Sequence, residues 1–387
     1  MNSKIVPRPQ LAHLIAQLDE LKQKGTYFHL RILEDQQEPV CTYDGKRVIN
    51  LASNNYLGLT AHPKLREAAI EATRKYGVGS GAVRTIAGTM RIHMELEEKI
   101  ARFKNVEACV VFQSGFTANA GTVSSILGKD DFIISDELNH ASVIDGARLS
   151  RAKVKVFRHR DTAHAEELLQ EVQSEPGRKL LITDGVFSMD GDLAPVGEML
   201  ALAKAHDAWL MTDDAHGIGV INEGRGSAHG HDVPLQMGTL SKAVGSYGGY
   251  LCASHVVCEL IRNRARSFVY TTGLPPAVVG ASIAALDLIA TDPAMCAAPL
   301  AHARRFCAAL GLPPAESPIV PLLLGTAERA LAAQAVLEAA GFLVAAIRPP
   351  TVPEGTARLR FAFTACHAPD DIDRLAQLVH DRILVTA

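Results

Sequence analysis

Apolar positions along the chain follow two periods. Leu11, Leu14, Ile15, Leu18 and Leu21 recur at helical spacing and predict an amphipathic helix over 11–24. A strand-like stretch over 43–50 follows, with Asp44 and Gly45 as its hairpin turn. A helix is predicted over 63–76, with Pro63 in its first turn and Gly77 just past its end. An alternation then sets in. Apolar runs at 108–112, 132–134, 154–157, 180–183, 208–211 and 251–253 read as strands, and helical stretches at 94–103, 118–127, 163–172 and 197–205 separate most of them. Fully apolar strands between helices indicate a mostly parallel sheet covered on both faces. The tail changes character, with a strand over 319–325, a helix over 327–340 between Thr326 and Gly341, an alternating strand over 358–364 and an amphipathic helix over 369–383. The expected organisation is an N-terminal helical arm (1–45), a large α/β domain (46–275) and a smaller α+β domain (276–387), divided at Pro275 and Pro276.

A length of 387 residues exceeds what one core usually covers, which agrees with two lobes. The formal net charge is −3 and no long basic run exists, so attraction to nucleic acid or to a membrane surface has no electrostatic basis. Seven cysteines (41, 109, 252, 258, 296, 307 and 366) are scattered without a C-x-x-C pair, as expected of reduced thiols. The opening twenty residues carry no signal-peptide core, and no segment has the apolar length of a membrane span. The expected location is the cytoplasm.

Candidate chemistry sits at the ends of the predicted strands. Lys242 lies in a small-residue stretch (239–243, TLSKA), ahead of the glycine-rich run 245–249. Upstream, Asp213, Asp214, Ala215 and His216 follow the apolar run 208–211. A strand ending in an acid, with a lysine in a small-residue loop about thirty residues later, suits a pyridoxal phosphate (PLP) enzyme. The lysine carries the coenzyme as a Schiff base, and the acid keeps a proton on the pyridine nitrogen. Lys242 also reads as an ordinary surface lysine, but not as a nucleotide-loop lysine, because the G-x-x-x-x-G-K-[ST] spacing is missing.

The other candidates each carry two readings. Ser114, Gly115 and Phe116 open a helix after the first buried strand, where backbone N–H groups and the helix dipole favour an anion; a phosphate cup and a plain turn both fit. His140 either stacks on an aromatic ring or bonds within its own loop. Ser188, in the polar loop 184–192, is a partner for a phenolic oxygen, and the acids around it read as cation ligands or solvated turn residues. A metal site built from Asp213, His216 and His140 lacks a further close-spaced ligand pair, so no metal is expected. The glycines of 77–81 follow a helix and not a strand, which argues against a dinucleotide loop. Arg358 and Arg360 alternate along the tail strand and are read as facing opposite sides, either with one clamping a substrate carboxylate or as a pair of edge charges.

Phosphate cup, histidine, serine loop, acid, lysine and arginine occur in the order used by fold-type I PLP enzymes. From about residue 11 to its end the chain resembles the α-oxoamine synthase family. The stretches that carry the resemblance are 50–58 (NLASNNYLG), 135–142 (SDELNHAS), 184–191 (DGVFSMDG), 213–217 (DDAHG), 238–243 (GTLSKA) and 348–360 (RPPTVPEGTARLR). It implies an α/β chain of PLP fold type I, aspartate aminotransferase-like, with a large mostly parallel sheet domain and a smaller α+β C-terminal domain. It also implies roles. Lys242 is the Schiff-base lysine and general base, Asp213 pairs with the pyridinium nitrogen, and His140 stacks on the ring. Ser188 and His216 contact its phenolic oxygen, and Ser114, Gly115, Phe116 and Thr239 hold the phosphate side. Thr272 reaches the phosphate of the neighbouring subunit, and Asn54 and Arg360 orient the amino acid carboxylate. The family joins an amino acid to an acyl-CoA with loss of CO2, as homodimers with shared active sites.

The tail 348–360 and the stretch 233–243 are similar to the branch that takes L-alanine and a pimeloyl thioester. The stretch 79–89 (GSGAVRTIAGT) is closer to the branch that takes glycine and acetyl-CoA. A non-catalytic subunit would lack Lys242, and a PLP aminotransferase or decarboxylase on the same fold would not use CoA. A nicotinamide oxidoreductase rests only on the weak glycine loop.

Overall fold

The computed structural model describes residues 9–385, so the first eight residues of the expected arm and the last two of the tail lie outside the described residues. A seven-stranded sheet forms the centre. Its order is Ala108–Phe112, Gly249–Ala253, Leu235–Thr239, Trp209–Asp213, Lys179–Asp184, Phe132–Asp136 and Lys153–Phe157. Only Gly249–Ala253 runs antiparallel to its neighbours. Five of these strands are buried at every residue, which is why they read as continuous apolar runs rather than alternations.

Each face of the sheet carries its own packing. On one side Val110, Phe112, Ile133, Ile182 and Met211 meet Val123 and Ile126 of the helix Gly115–Ile126 and Val143 of Ala141–Ser150. On the other, Cys109, Val111 and Tyr250 pack with Leu96 and Ile100 of Arg91–Lys104 and with Val279, Leu286 and Ile289 of Pro276–Thr291. The helix Pro276–Thr291 therefore buries its apolar residues against the large sheet. It and Pro293–Ala309 are together apolar but bend by 80° at the break; among the described residues no single helix is long and apolar enough to cross a membrane.

Two smaller sheets complete the fold. The hairpin Val40–Tyr43 and Lys46–Asn50 turns at Asp44 and Gly45, both at positive φ, and its second strand pairs in parallel with Phe342–Leu343. The strands Ile319–Gly325, Ala357–Ala362 and Ala345–Ile347 form an antiparallel set under Ala327–Ala339, whose first turn Thr326 caps by accepting from Arg329 N. Ile49 and Leu51, early in the chain, share their apolar cluster with Phe306, Phe361 and Leu375, late in the chain. The predicted tail helix is an α-helix over Pro369–Val379 that continues as a wider π turn over His380–Leu384.

Candidate active site

The parallel strands all end on one side of the sheet, the edge where open α/β sheets bind ligands. Trp209–Asp213 ends in Asp213, Lys179–Asp184 in Asp184 and Leu235–Thr239 in Thr239, while Ala108–Phe112 leads into the helix that starts at Gly115. These ends enclose a cavity of about 170 Å³. Ser114, Gly115, Phe116, His140, Asp213, His216, Thr239 and Lys242, far apart in sequence, all line it.

The local chemistry explains each placement. Ser114 Oγ accepts from Thr117 N at 3.1 Å and Thr117 Oγ1 accepts from Ser114 N at 3.0 Å, a reciprocal cap that fixes the helix start against the cavity. The neighbouring strand approaches so closely that a Cβ on Gly249 would stand 2.5 Å from Gly115 N and from the Ser114 carbonyl. Only glycine fits there. Thr239 Oγ1 bonds the Gly248 carbonyl and Ser241 Oγ, both at 2.8 Å, so this loop reaches the same end of the cavity in a fixed shape.

Asp213 is buried and doubly held. Its Oδ2 accepts from Asn119 Nδ2 at 2.7 Å, and its Oδ1 from Ala215 N at 2.8 Å. Asn119 also donates to Ser142 Oγ at 2.9 Å, and Ser142 Oγ meets His140 Nδ1 at 2.7 Å, so one chain of polar groups links the acid to the imidazole. Asp184 also lines the cavity; burial first, and then the Asp213 charge, drives its carboxyl well above the ordinary range. Burial lowers the Lys242 ammonium below its ordinary value, against the pull of Asp213 and Asp184. Burial likewise lowers His140, with Asp213 raising and Lys242 lowering it further. The cavity thus brings together an amine of lowered proton affinity and an acid held by two donors.

The remaining candidates sit around this centre. Ala357–Ala362 carries Arg358 and Arg360 two residues apart, and in a strand such residues share a face, not opposite ones. Both are buried and both reach the loop 188–190. Arg358 pairs with Asp190 and donates to the Met189 carbonyl at 3.3 Å, while Arg360 Nε donates to the Ser188 carbonyl at 2.5 Å. Arg360 also donates to Asn54 Oδ1 at 3.2 Å, which joins the two proposed carboxylate-orienting residues. Ser188 does not line the cavity, and its carbonyl braces Arg360. Thr272 is exposed outside the cavity, with its carbonyl taking a 2.6 Å bond from Gln113 Nε2 and its backbone forming an isolated bridge to Val83. Sequence reasoning gave no role to Ser142 or Asn119, and read Asp184 only as a cation ligand or a turn residue. A polar residue inside an apolar helical run, as Asn119 is among Ala118, Ala120 and Val123, was the available signal for one of them. Among the described residues no group of three or more His, Cys, Asp or Glu side chains is placed to hold a metal ion.

The family model of class I and II aminotransferases matches residues 46–379. A protein of Acidiphilium cryptum (strain JF-5), provisionally named 8-amino-7-oxononanoate synthase, is 76% identical over 344 residues, 89% of this chain and 90% of that protein. The 8-amino-7-oxononanoate synthase of Methylocella silvestris is 57% identical over 340 residues, 87% of this chain and 97% of its own. Among solved structures, a serine palmitoyltransferase from S. paucimobilis with a bound PLP–myriocin aldimine superposes with a TM-score of 0.89 at 31% identity, covering 95% of this chain and 96% of that one.

Proposed function

This chain belongs to the class I and II aminotransferase family, in its α-oxoamine synthase branch, and from that premise we propose that it condenses L-alanine with pimeloyl-CoA, releasing CoA and CO2, to give 8-amino-7-oxononanoate. The observation that carries this reading is the meeting of Lys242, Asp213 and the capped helix start at Ser114 around one cavity, in a chain with such close relatives.

The cavity suits PLP. The N-terminus of Gly115–Ile126, with Ser114, Gly115, Phe116 and Thr239, is an anion site for the phosphate. Asp213, an acceptor held by two donors, pairs with the protonated ring nitrogen. His140 would cover a ring face and His216 would contact the phenolic oxygen, while Ser188, outside the cavity lining, would act through its carbonyl on Arg360. When bound, PLP supplies the electron sink for the pair left at the amino acid's α carbon. Lys242 Nζ is the attachment point, and its lowered proton affinity lets it act as the base that takes the α-proton. Arg360 and Asn54, bonded to each other, would orient the amino acid carboxylate. Two copies of the chain form a homodimer in which Thr272 of each reaches the phosphate of the other, and the enzyme works in the cytoplasm. We keep the lobe division at Pro275 and Pro276 as a proposal, with the helix that follows it packed against the large sheet.

Thiol release tests the reaction. With L-alanine and pimeloyl-CoA the enzyme releases CoA faster than with glycine and acetyl-CoA. The opposite ranking would move the chain to the branch that its 79–89 stretch resembles.

A further inference from the structure

Tyr56 belongs to a stretch matched by the family, yet its position in sequence suggests no role. It is fully buried and does not line the cavity. Its hydroxyl nevertheless meets three polar groups of the site: His216 Nδ1 at 2.7 Å, Asn54 Oδ1 at 3.2 Å and a terminal nitrogen of Arg360 at 3.3 Å.

One proton must be shared among these contacts. A guanidinium only donates, so the tyrosine oxygen accepts from Arg360. Asn54 Oδ1 already accepts from Arg360 at 3.2 Å, whereas the hydroxyl is the sole partner of His216 Nδ1 among the described residues. Burial raises the phenol above its ordinary pKa, against the opposing pull of Arg360, so the hydroxyl keeps a proton to donate. The proton therefore goes along the 2.7 Å contact, the shortest of the three. A histidine that accepts at Nδ1 carries its own hydrogen on Nε2. His216 lines the cavity, and Nε2 is the nitrogen left to face a ligand there. Burial first, and then the charges of Lys242, Arg360 and His140, hold the imidazole well below its ordinary pKa, so it acts as a neutral donor and not as a cation.

We propose that Tyr56 is a positioning residue that locks His216 as the Nε2–H tautomer and ties this imidazole to Arg360 through one shared hydroxyl. The proposal rests on the function given above for its consequence: a phenolate oxygen of the coenzyme needs a donor, and the tie sets that donor and the carboxylate-binding arginine in register. Without the hydroxyl, His216 can turn its lone pair towards the cavity, and Arg360 loses one of the groups that orient it.

Tyr56→Phe keeps the ring packing and removes only the hydroxyl. In the coenzyme-free protein with 15N-labelled histidine rings, long-range proton–nitrogen correlation reads the tautomer directly, and His216→Gln assigns the signal. Wild type is expected to carry hydrogen on Nε2 with an unprotonated Nδ1, and Tyr56→Phe to shift both nitrogens. A wild-type Nδ1–H tautomer, or an unchanged spectrum in Tyr56→Phe, would overturn the proposal whatever reaction the enzyme performs. In the loaded enzyme, Tyr56→Phe is expected to raise KM for the amino acid about tenfold. KM for the acyl thioester should move less than about twofold, and the absorbance maximum of the bound coenzyme should shift. An unaltered amino acid KM would refute the tie to Arg360. Failure of every thiol-release assay alongside the expected spectra would instead count against the function and leave the tautomer lock standing.

Discussion

Lys242 and Asp213 come to the cavity from different strands, and their surroundings act on them differently. Burial lowers the proton affinity of the amine, while Asn119 and the Ala215 amide both donate to the acid. Lys242→Ala should abolish the visible band of the bound coenzyme and lower turnover at least about a thousandfold; a variant that kept both would remove this lysine from the mechanism. Asp213 was legible because an acid at the end of an apolar run has few purely structural uses, and Lys242 because it stands in a small-residue loop about thirty residues later. Asn119 and Tyr56 were not legible, since a pattern of apolar positions tells which face a residue occupies and not which atom its polar end will find. Arg358 and Arg360 carry a sharper lesson. Two residues apart in a strand means one face, and both side chains brace the same loop.

Elements hold the site through buried charge. Lys104, the last residue of Arg91–Lys104, bonds Asp214 Oδ2 at 3.1 Å and the Arg225 carbonyl at 2.5 Å, and Asp214 Oδ1 accepts from Ser227 N at 2.7 Å. A Cβ on Gly185, Gly217 or Gly226 would come within 2.6, 2.5 or 2.4 Å of the Asp214 carboxylate, so three glycines make room for it. This pair pins the turn that follows Asp213. Lys104→Met should destabilise the protein by about 3–5 kcal/mol, because it leaves a buried acid without its counter-charge; unchanged denaturant unfolding would contradict this. A second brace joins the ends of two strands to the loop 184–192. His159 bonds Asp136 at 3.1 Å and Asp192 at 2.8 Å. Burial disfavours its charge, but these two acids outweigh that and raise its pKa from 6.5 to about 10. A folded value above the unfolded one means that the brace contributes fully below about pH 6.5 and is lost as the pH climbs through about 10. Melting temperature should therefore fall less between pH 7 and 10 in His159→Gln than in wild type, and equal slopes would sink the idea. Most strands and helices were readable from their apolar periods. Leu235–Thr239 was not, because it holds a glutamine and a glycine; a Cβ on Gly238 would lie 2.3 Å from the Tyr250 hydroxyl. Ala141–Ser150 was missed for a related reason. Gly146, poor for helices, lets this helix come so near its neighbour that a Cβ there would stand 3.1 Å from the Asn119 carbonyl.

At the scale of the molecule, apolar surface remains uncovered. The face predicted for the first helix stays open, with Leu11, Leu14, Ile15, Leu18 and Leu21 between 41% and 45% exposed. Val78, Ile86 and Tyr270 are 80%, 84% and 69% exposed, and the segment that carries the first two is stapled to the Thr272 segment by Ser80 Oγ donating to the Gly273 carbonyl at 2.9 Å. Surface of this kind calls for a partner, and it supports the proposed homodimer. Light scattering should give twice the 41.4 kDa of one chain. Ile86→Asp, at an open position, should yield a folded monomer with little activity, since neither copy would then receive the other's Thr272. A fully active monomer would refute the shared site. The pairing of Lys46–Asn50 with Phe342–Leu343 has a consequence for biosynthesis. On the ribosome the early hairpin emerges with Ile49 and Leu51 bare, and the strands that will cover them are translated only near the end. Nascent chains should thus dwell in a sticky, half-built form, so that stalling or premature termination in the last third would leave a client for chaperones.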